Sequence, residues 1–148
     1  MTAIQDRLKK MEIFFDQKEY LVIDHGTGYI KAGFSGEDLP RLIVPTVVGT
    51  HQMQVDPSQV TAGPAESNQP KIVHAFGNAA FAGRATHELT FPIRRGIIED
   101  PENMVHLWKY IFDELNLDPK NVNVLLTDSP LNTKENKTKI TQIMFEHF

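Results

Sequence analysis

Asp24, Gly26, Thr27, Gly28 and Lys31 lie within one eight-residue window, and together they carry the donors and charges that a phosphate needs. Glycines on either side of Thr27 let a turn take positive φ and let a ligand approach bare backbone. Successive backbone N–H groups in such a turn form a concave anion site. Thr27 adds a hydroxyl, Lys31 a point positive charge, and Asp24 a hard oxygen suited to Mg²⁺ or to one of its bound waters. Acid, amide nest, hydroxyl and lysine on one tight hairpin would make half of a nucleoside-triphosphate site. The same residues also suit an ordinary hairpin turn, with Asp24 accepting from turn amides and Lys31 solvated.

Other chemistries find less support. The chain has no G-x-x-x-x-G-K-[ST] loop, and a strand rather than a helix follows Gly28, so neither a P-loop nor a dinucleotide fingerprint is present. His25, His51, His74, His87, His106 and His147 show no H-x-x-x-H pairing of metal-ligand kind. With no cysteine there is no disulfide framework and no thiolate metal site. Glu99 and Asp100 read as cap or surface groups and Asp113-Glu114 as a solvated helix face. Nothing is spaced as a Ser/His/Asp triad.

The elements that must position the hairpin residues follow from apolar patterning. Tyr20–Ile23 reads as a buried strand, and Tyr29–Phe34 as the strand that returns from the turn. Leu42-Ile43-Val44 continues the sheet, with Pro45 at an edge or strand end. From Thr50 to Gln69 the composition turns polar, with Pro57, Gly63 and Pro64, and predicts an exposed, mobile loop. Asn78–Glu88 reads as a short alanine-rich helix. Asp100-Pro101 signals a helix start, after which Met104, Leu107, Trp108, Ile111 and Leu115 recur on one face and predict core. Val122–Leu126 is the next strand. Asn132, with Glu135 three residues on, suits a capping box for a last helix whose apolar face is Ile140, Ile143, Met144 and Phe148. Gln142 falls on the opposite face of that helix, where a solvated polar residue is the plain reading. Ahead of the first strand, Ile4, Leu8, Met11 and Phe15 are spaced as a short amphipathic helix, which either packs back on the domain or docks on a partner.

At 148 residues the chain is about one domain, and a net charge of −4 argues against nucleic acid as a bulk electrostatic partner. No apolar run approaches the roughly 18 residues a membrane span needs.

The run from Val22 through Lys31-Ala32-Gly33-Phe34-Ser35-Gly36 to Pro40-Arg41, then Pro45 and Val48-Gly49, resembles the opening segment of actin and the actin-related proteins. The shorter pattern Asp24-x-Gly26-Thr27-x-x-x-Lys31 also suits sugar kinases and heat-shock chaperone ATPases; the Lys-Ala-Gly-Phe continuation and the Pro-Arg pair narrow it to actin. A second block, Phe91-Pro92-Ile93, Gly96-Ile97-Ile98, Trp108, Val124–Thr127, Pro130-Leu131-Asn132 and Thr141–Glu146, resembles the same family in order and approximate spacing.

The resemblance implies an α/β, ribonuclease-H-like half-domain with a mixed sheet and flanking helices. Residues 20–49 and 91–148 would form the main subdomain, 50–90 a small outer subdomain, and 1–19 an extension that the family mostly lacks. It implies ATP or ADP with Mg²⁺ as the cofactor of the complete fold, with Asp24 near the metal through water. Gly26, Thr27, Gly28 and Lys31 would lie on the phosphates and Gln142 on the attacking water. His25 stands where most members carry asparagine. The chain ends at Phe148, around where the family enters its hinge, so the second phosphate hairpin and the adenosine-binding segments are not expected within it.

The reading that follows is a cytoskeletal or scaffolding component of a larger assembly, with protein partners that include a second actin-like half. By itself it would not turn over ATP. The resemblance places it in the cytoplasm, in the cytoskeleton or in a ciliary or other microtubule- or actin-associated assembly. The alternatives are the ATP-binding half of an active ATPase and a sugar-kinase-like phosphotransferase.

Overall fold

The computed structural model describes residues 20–53 and 71–148. Strands β1 (Tyr20–His25) and β2 (Tyr29–Phe34) form an antiparallel hairpin with Asp24 opposite Lys31. β3 (Leu42–Pro45) adds to β2 as an edge strand, with Pro45 closing the pairing opposite Tyr29, where its missing N–H costs least. On the other side β9 (Asn123–Leu126) runs parallel to β1, giving a mixed sheet in the order β3-β2-β1-β9. A parallel pair needs a long crossover. Helix α2 (Pro101–Glu114) lies within that connection.

Strand alternation sorts the hairpin into two faces. Leu21, Ile23, Ile30 and Ala32 are essentially fully buried and belong to one core with Met104, Leu107, Trp108 and Ile111 of α2. Asp24 and Lys31 therefore stand on the opposite face, and a one-residue slip of register would drive them into the core. The expected stripe on α2 is the core seam, with Leu115 partly buried beside it; Val105 and Phe112 join it as well. Asp100 caps the helix, its Oδ1 accepting from the Asn103 N–H at 3.0 Å, and Pro101 takes the first helical position. Helix α3 (Lys134–His147) lays Ile140, Ile143 and Met144, with Phe148 just beyond it, against this core; the Phe148 ring stacks 5.3 Å from that of Phe112.

A second, three-stranded sheet has the order β5-β4-β6 and is built from β4 (Val48–Met53), β5 (Lys71–Phe76) and β6 (Glu88–Thr90). It corrects two expectations. The polar run that was to be loop from Thr50 begins instead as strand, with Thr50 opposite His74 and Met53 opposite Lys71. Backbone pairing in a small, largely solvated sheet does not require apolar side chains, so composition concealed the outer part of β4. The helix expected over Asn78–Glu88 is only Gly77–Ala82 (α1), because Thr50 claims Glu88 and Gly49 claims Leu89 for β6. Gly83 ends α1, and its carbonyl accepts from the Thr86 and His87 N–H groups. A third correction concerns α3. Its cap is Thr133, whose hydroxyl accepts from the Asn136 N–H at 3.2 Å, whereas Asn132 turns back to donate to Asp128 Oδ1 at 2.7 Å. A short ribbon, β7 (Ile93–Arg94) with β8 (Ile97–Ile98), completes the strands described. Residues 1–19, with the amphipathic pattern, and 54–69 of the expected loop lie outside the described residues.

Candidate phosphate-binding site

The β1–β2 turn is held from behind and open in front. Gly26 donates its N–H to the Tyr29 carbonyl at 3.1 Å, and a Cβ on Gly26 would lie 2.4 Å from that same oxygen. Close approach, not positive φ, therefore requires glycine here. The expectation of positive φ in this turn is corrected, since the positive-φ glycines among the described residues are Gly36, Gly77 and Gly96. Thr46, 1% exposed, clamps the turn from the core side. Its hydroxyl donates to the Gly26 carbonyl at 2.8 Å and its N–H to the Gly28 carbonyl at 3.0 Å. The Thr27 hydroxyl accepts from the Gly96 N–H at 2.9 Å.

With the carbonyls tied back, the amides of Thr27 and Gly28 are left over. Both residues are exposed, and among the described residues neither N–H donates to a protein group. A Cβ on Gly28 would meet nothing within 4 Å, so the turn is open to a ligand at that point. Two unspent donors on an open turn are what an anion nest requires.

Asp24 and Lys31 supply the charges beside this turn. The Lys31 ammonium lies 3.9 Å from Asp24 Oδ2, and both side chains are about half exposed at 54% and 48%. Asp24 Oδ1 accepts from the Thr127 hydroxyl at 2.9 Å, which fixes the carboxylate without neutralising it. Thr127 sits just beyond β9; its N–H donates to the Ile23 carbonyl at 3.1 Å and its hydroxyl accepts from the His25 N–H at 3.1 Å. Among the described residues no group of three or more His, Asp or Glu is arranged to hold a metal ion. A lone, oriented carboxylate suits Mg²⁺ that keeps most of its waters and takes further oxygens from a phosphate.

His25 plays a different part. Its Nε2 accepts from the Trp108 indole N–H at 2.7 Å. Because an indole nitrogen only donates, Nε2 must be unprotonated and the ring proton sits on Nδ1, facing the Thr127 carbonyl at a long 3.5 Å. Burial pushes the His25 pKa below its ordinary value, opposed in part by the Thr127 carbonyl and by the charges of Asp24 and Asp128. A neutral His25 thus pins the end of β1 to α2.

The structure brings Asp24, Gly26, Thr27, Gly28 and Lys31 together on one hairpin. Gln142 is exposed on α3, where its amide donates to Glu146 Oε1 at 2.7 Å. A cavity of about 190 Å³ is lined by His25, Gly96, Thr127, Asp128, Lys137 and, one residue before Gln142, Thr141. Sequence reasoning missed Thr46, Gly96 and Thr127, which shape the turn and the acid. Only Thr127 carried a signal, as a polar residue at the carboxyl end of a parallel strand, where open α/β sheets hold their ligands.

A family model described as Actin matches residues 15–148. Actin-related protein 2 of Arabidopsis thaliana is 34% identical over 134 residues, which cover 90% of this chain and 33% of the relative. The chain thus spans about a third of the length of the curated relative it matches.

Proposed function

The chain belongs to the actin family, and we propose that it supplies the phosphate-binding half of an actin-type nucleotide clamp, within a cytoskeletal protein assembly. Its mixed sheet with flanking helices is the ribonuclease-H-like half-domain of that family. The observation that carries the proposal is the pair of unspent amides at Thr27 and Gly28, on a turn whose carbonyls Thr46 holds back.

When bound, a magnesium nucleotide supplies the phosphate oxygens and the cation that these residues suit. The Thr27 and Gly28 N–H groups would hold phosphate oxygens, and the Lys31 ammonium would turn from Asp24 to meet their charge. Asp24, oriented by Thr127, would hold Mg²⁺ through water. Family membership supports a cytoplasmic, cytoskeletal setting and protein partners, a second actin-like half among them. No helix among the described residues is long and apolar enough to cross a membrane.

One hairpin offers two amides, one ammonium and one carboxylate. Binding must overcome several kcal/mol of lost translational and rotational freedom, so this half-site alone holds nucleotide weakly. Phosphoryl transfer depends on positioning and on charge stabilisation from several sides, which one hairpin does not provide. Residues 1–148 alone therefore do not turn over Mg-ATP. Calorimetric titration of the purified chain tests this: binding weaker than about 1 mM, roughly −4 kcal/mol, is expected. Micromolar binding abolished by Asp24→Ala or Lys31→Ala would make the chain a complete nucleotide-binding protein and overturn the half-site reading.

A further inference from the structure

Four rings join the small sheet to the main body. His74 and Phe76 follow each other on one face of β5, with ring centroids 6.3 Å apart and planes within 9°. They meet His106 and Tyr110, one turn apart on α2. The His74–His106 rings stack at 4.1 Å and the Phe76–Tyr110 rings at 4.9 Å. Phe76 cannot take a charge, whereas imidazole is the side chain whose charge changes near neutrality.

We infer that this seam is a proton-operated latch between the small sheet and the main body, closed while the stacked His74 and His106 are neutral and opened when both are charged. Two imidazolium rings at 4.1 Å would repel, whereas neutral rings stack favourably. The groups that face the pair bear on which charge states it tolerates. Thr50, His51 and Gln52 of β4, Glu88 of β6 and Glu102 of α2 line the same open cavity of about 670 Å³, so water and protons reach the rings. Glu102 and Asp100 favour a charge on His106, while His74 and Lys109 oppose it. Burial, the largest cause, holds the His106 pKa below its ordinary value, and its cost falls on the closed state. Among the described residues no three His, Asp or Glu are placed to hold a metal.

Hydrogen exchange of the 148-residue chain at pH 7.5 and 5.5, corrected for intrinsic rates, tests the latch. Protection of the β5 amides should fall about tenfold more than that of β2, the reference for global stability. In His106→Phe, which keeps a ring but removes the imidazole whose charge burial opposes, β5 and β2 should fall in parallel; in His74→Phe the excess loss at β5 should shrink without vanishing, because the burial of His106 remains. Each variant reads the latch from its own side of the seam, so a diminished excess in His74→Phe serves if His106→Phe does not fold. Equal loss in β5 and β2 of the wild type, an excess loss at β5 that persists in folded His106→Phe, or one left undiminished in folded His74→Phe, would overturn the inference.

Discussion

Trp108 Nε1 donates to His25 Nε2 at 2.7 Å, joining the middle of α2 to the last residue of β1, next to the turn that carries Gly26, Thr27 and Gly28. This hydrogen bond exists only with His25 neutral, because a protonated Nε2 would face the indole donor with a donor of its own.

A pH dependence follows. The folded-state pKa of His25 is lowered, chiefly by burial, so below the ordinary histidine value near 6.5 the unfolded chain binds the proton more readily. The stabilisation is fully present above about pH 6.5 and is lost as pH falls through the folded pKa. Urea midpoints should therefore be lower at pH 5.5 than at pH 7.5. His25→Asn should shrink this difference, with His106 accounting for part of what remains. An unchanged difference would contradict the neutral assignment.

Trp108→Phe should cost about 2 to 3 kcal/mol. It leaves His25 Nε2 without its donor and removes ring volume from a fully buried position. Chemical denaturation reads this directly, and a loss below about 0.5 kcal/mol would show that the bond contributes little to the fold.

The two turn glycines should respond in opposite ways. Gly26→Ala brings a Cβ to 2.4 Å from the Tyr29 carbonyl and should destabilise by about 1 to 3 kcal/mol. Gly28→Ala points into open space and should leave stability within about 0.5 kcal/mol. Thermal melts of the two variants compare them, and equal losses would mean that the turn is not held as described.

These contrasts show what the sequence disclosed and what it withheld. The Asp24-to-Lys31 window exposed the hairpin because the apolar run Tyr20–Ile23 stops at an acid and two glycines and a second strand-like run begins at Tyr29; the β1–β2 register of the fold then sets Asp24 opposite Lys31. The α2 stripe was legible as well: Met104, Leu107, Trp108 and Ile111 recur at helical spacing. Thr46 was not legible, because a threonine between Pro45 and Val47 looks like any strand residue until the fold sets its hydroxyl 2.8 Å from the Gly26 carbonyl. His25 read as a departure from asparagine, and its partner Trp108 lies 83 residues away. The outer part of β4 escaped notice because Thr50, His51 and Gln52 carry no apolar alternation, whereas Ile72, Val73, Ala75 and Phe76 did carry a strand signal for β5. Gln142 entered only through the resemblance, and in the fold its amide is engaged with Glu146.

The most direct test of the half-site is a titration that watches the Thr27 and Gly28 amides themselves. With Mg-ATP added to the isotope-labelled chain up to about 10 mM, their NMR resonances should move along a single curve giving a dissociation constant weaker than about 1 mM. The same titration of Lys31→Ala should leave them nearly still. Thr27 and Gly28 resonances that stay fixed in the wild type while others move, or that do not move at all, would contradict the assignment of this turn to phosphate.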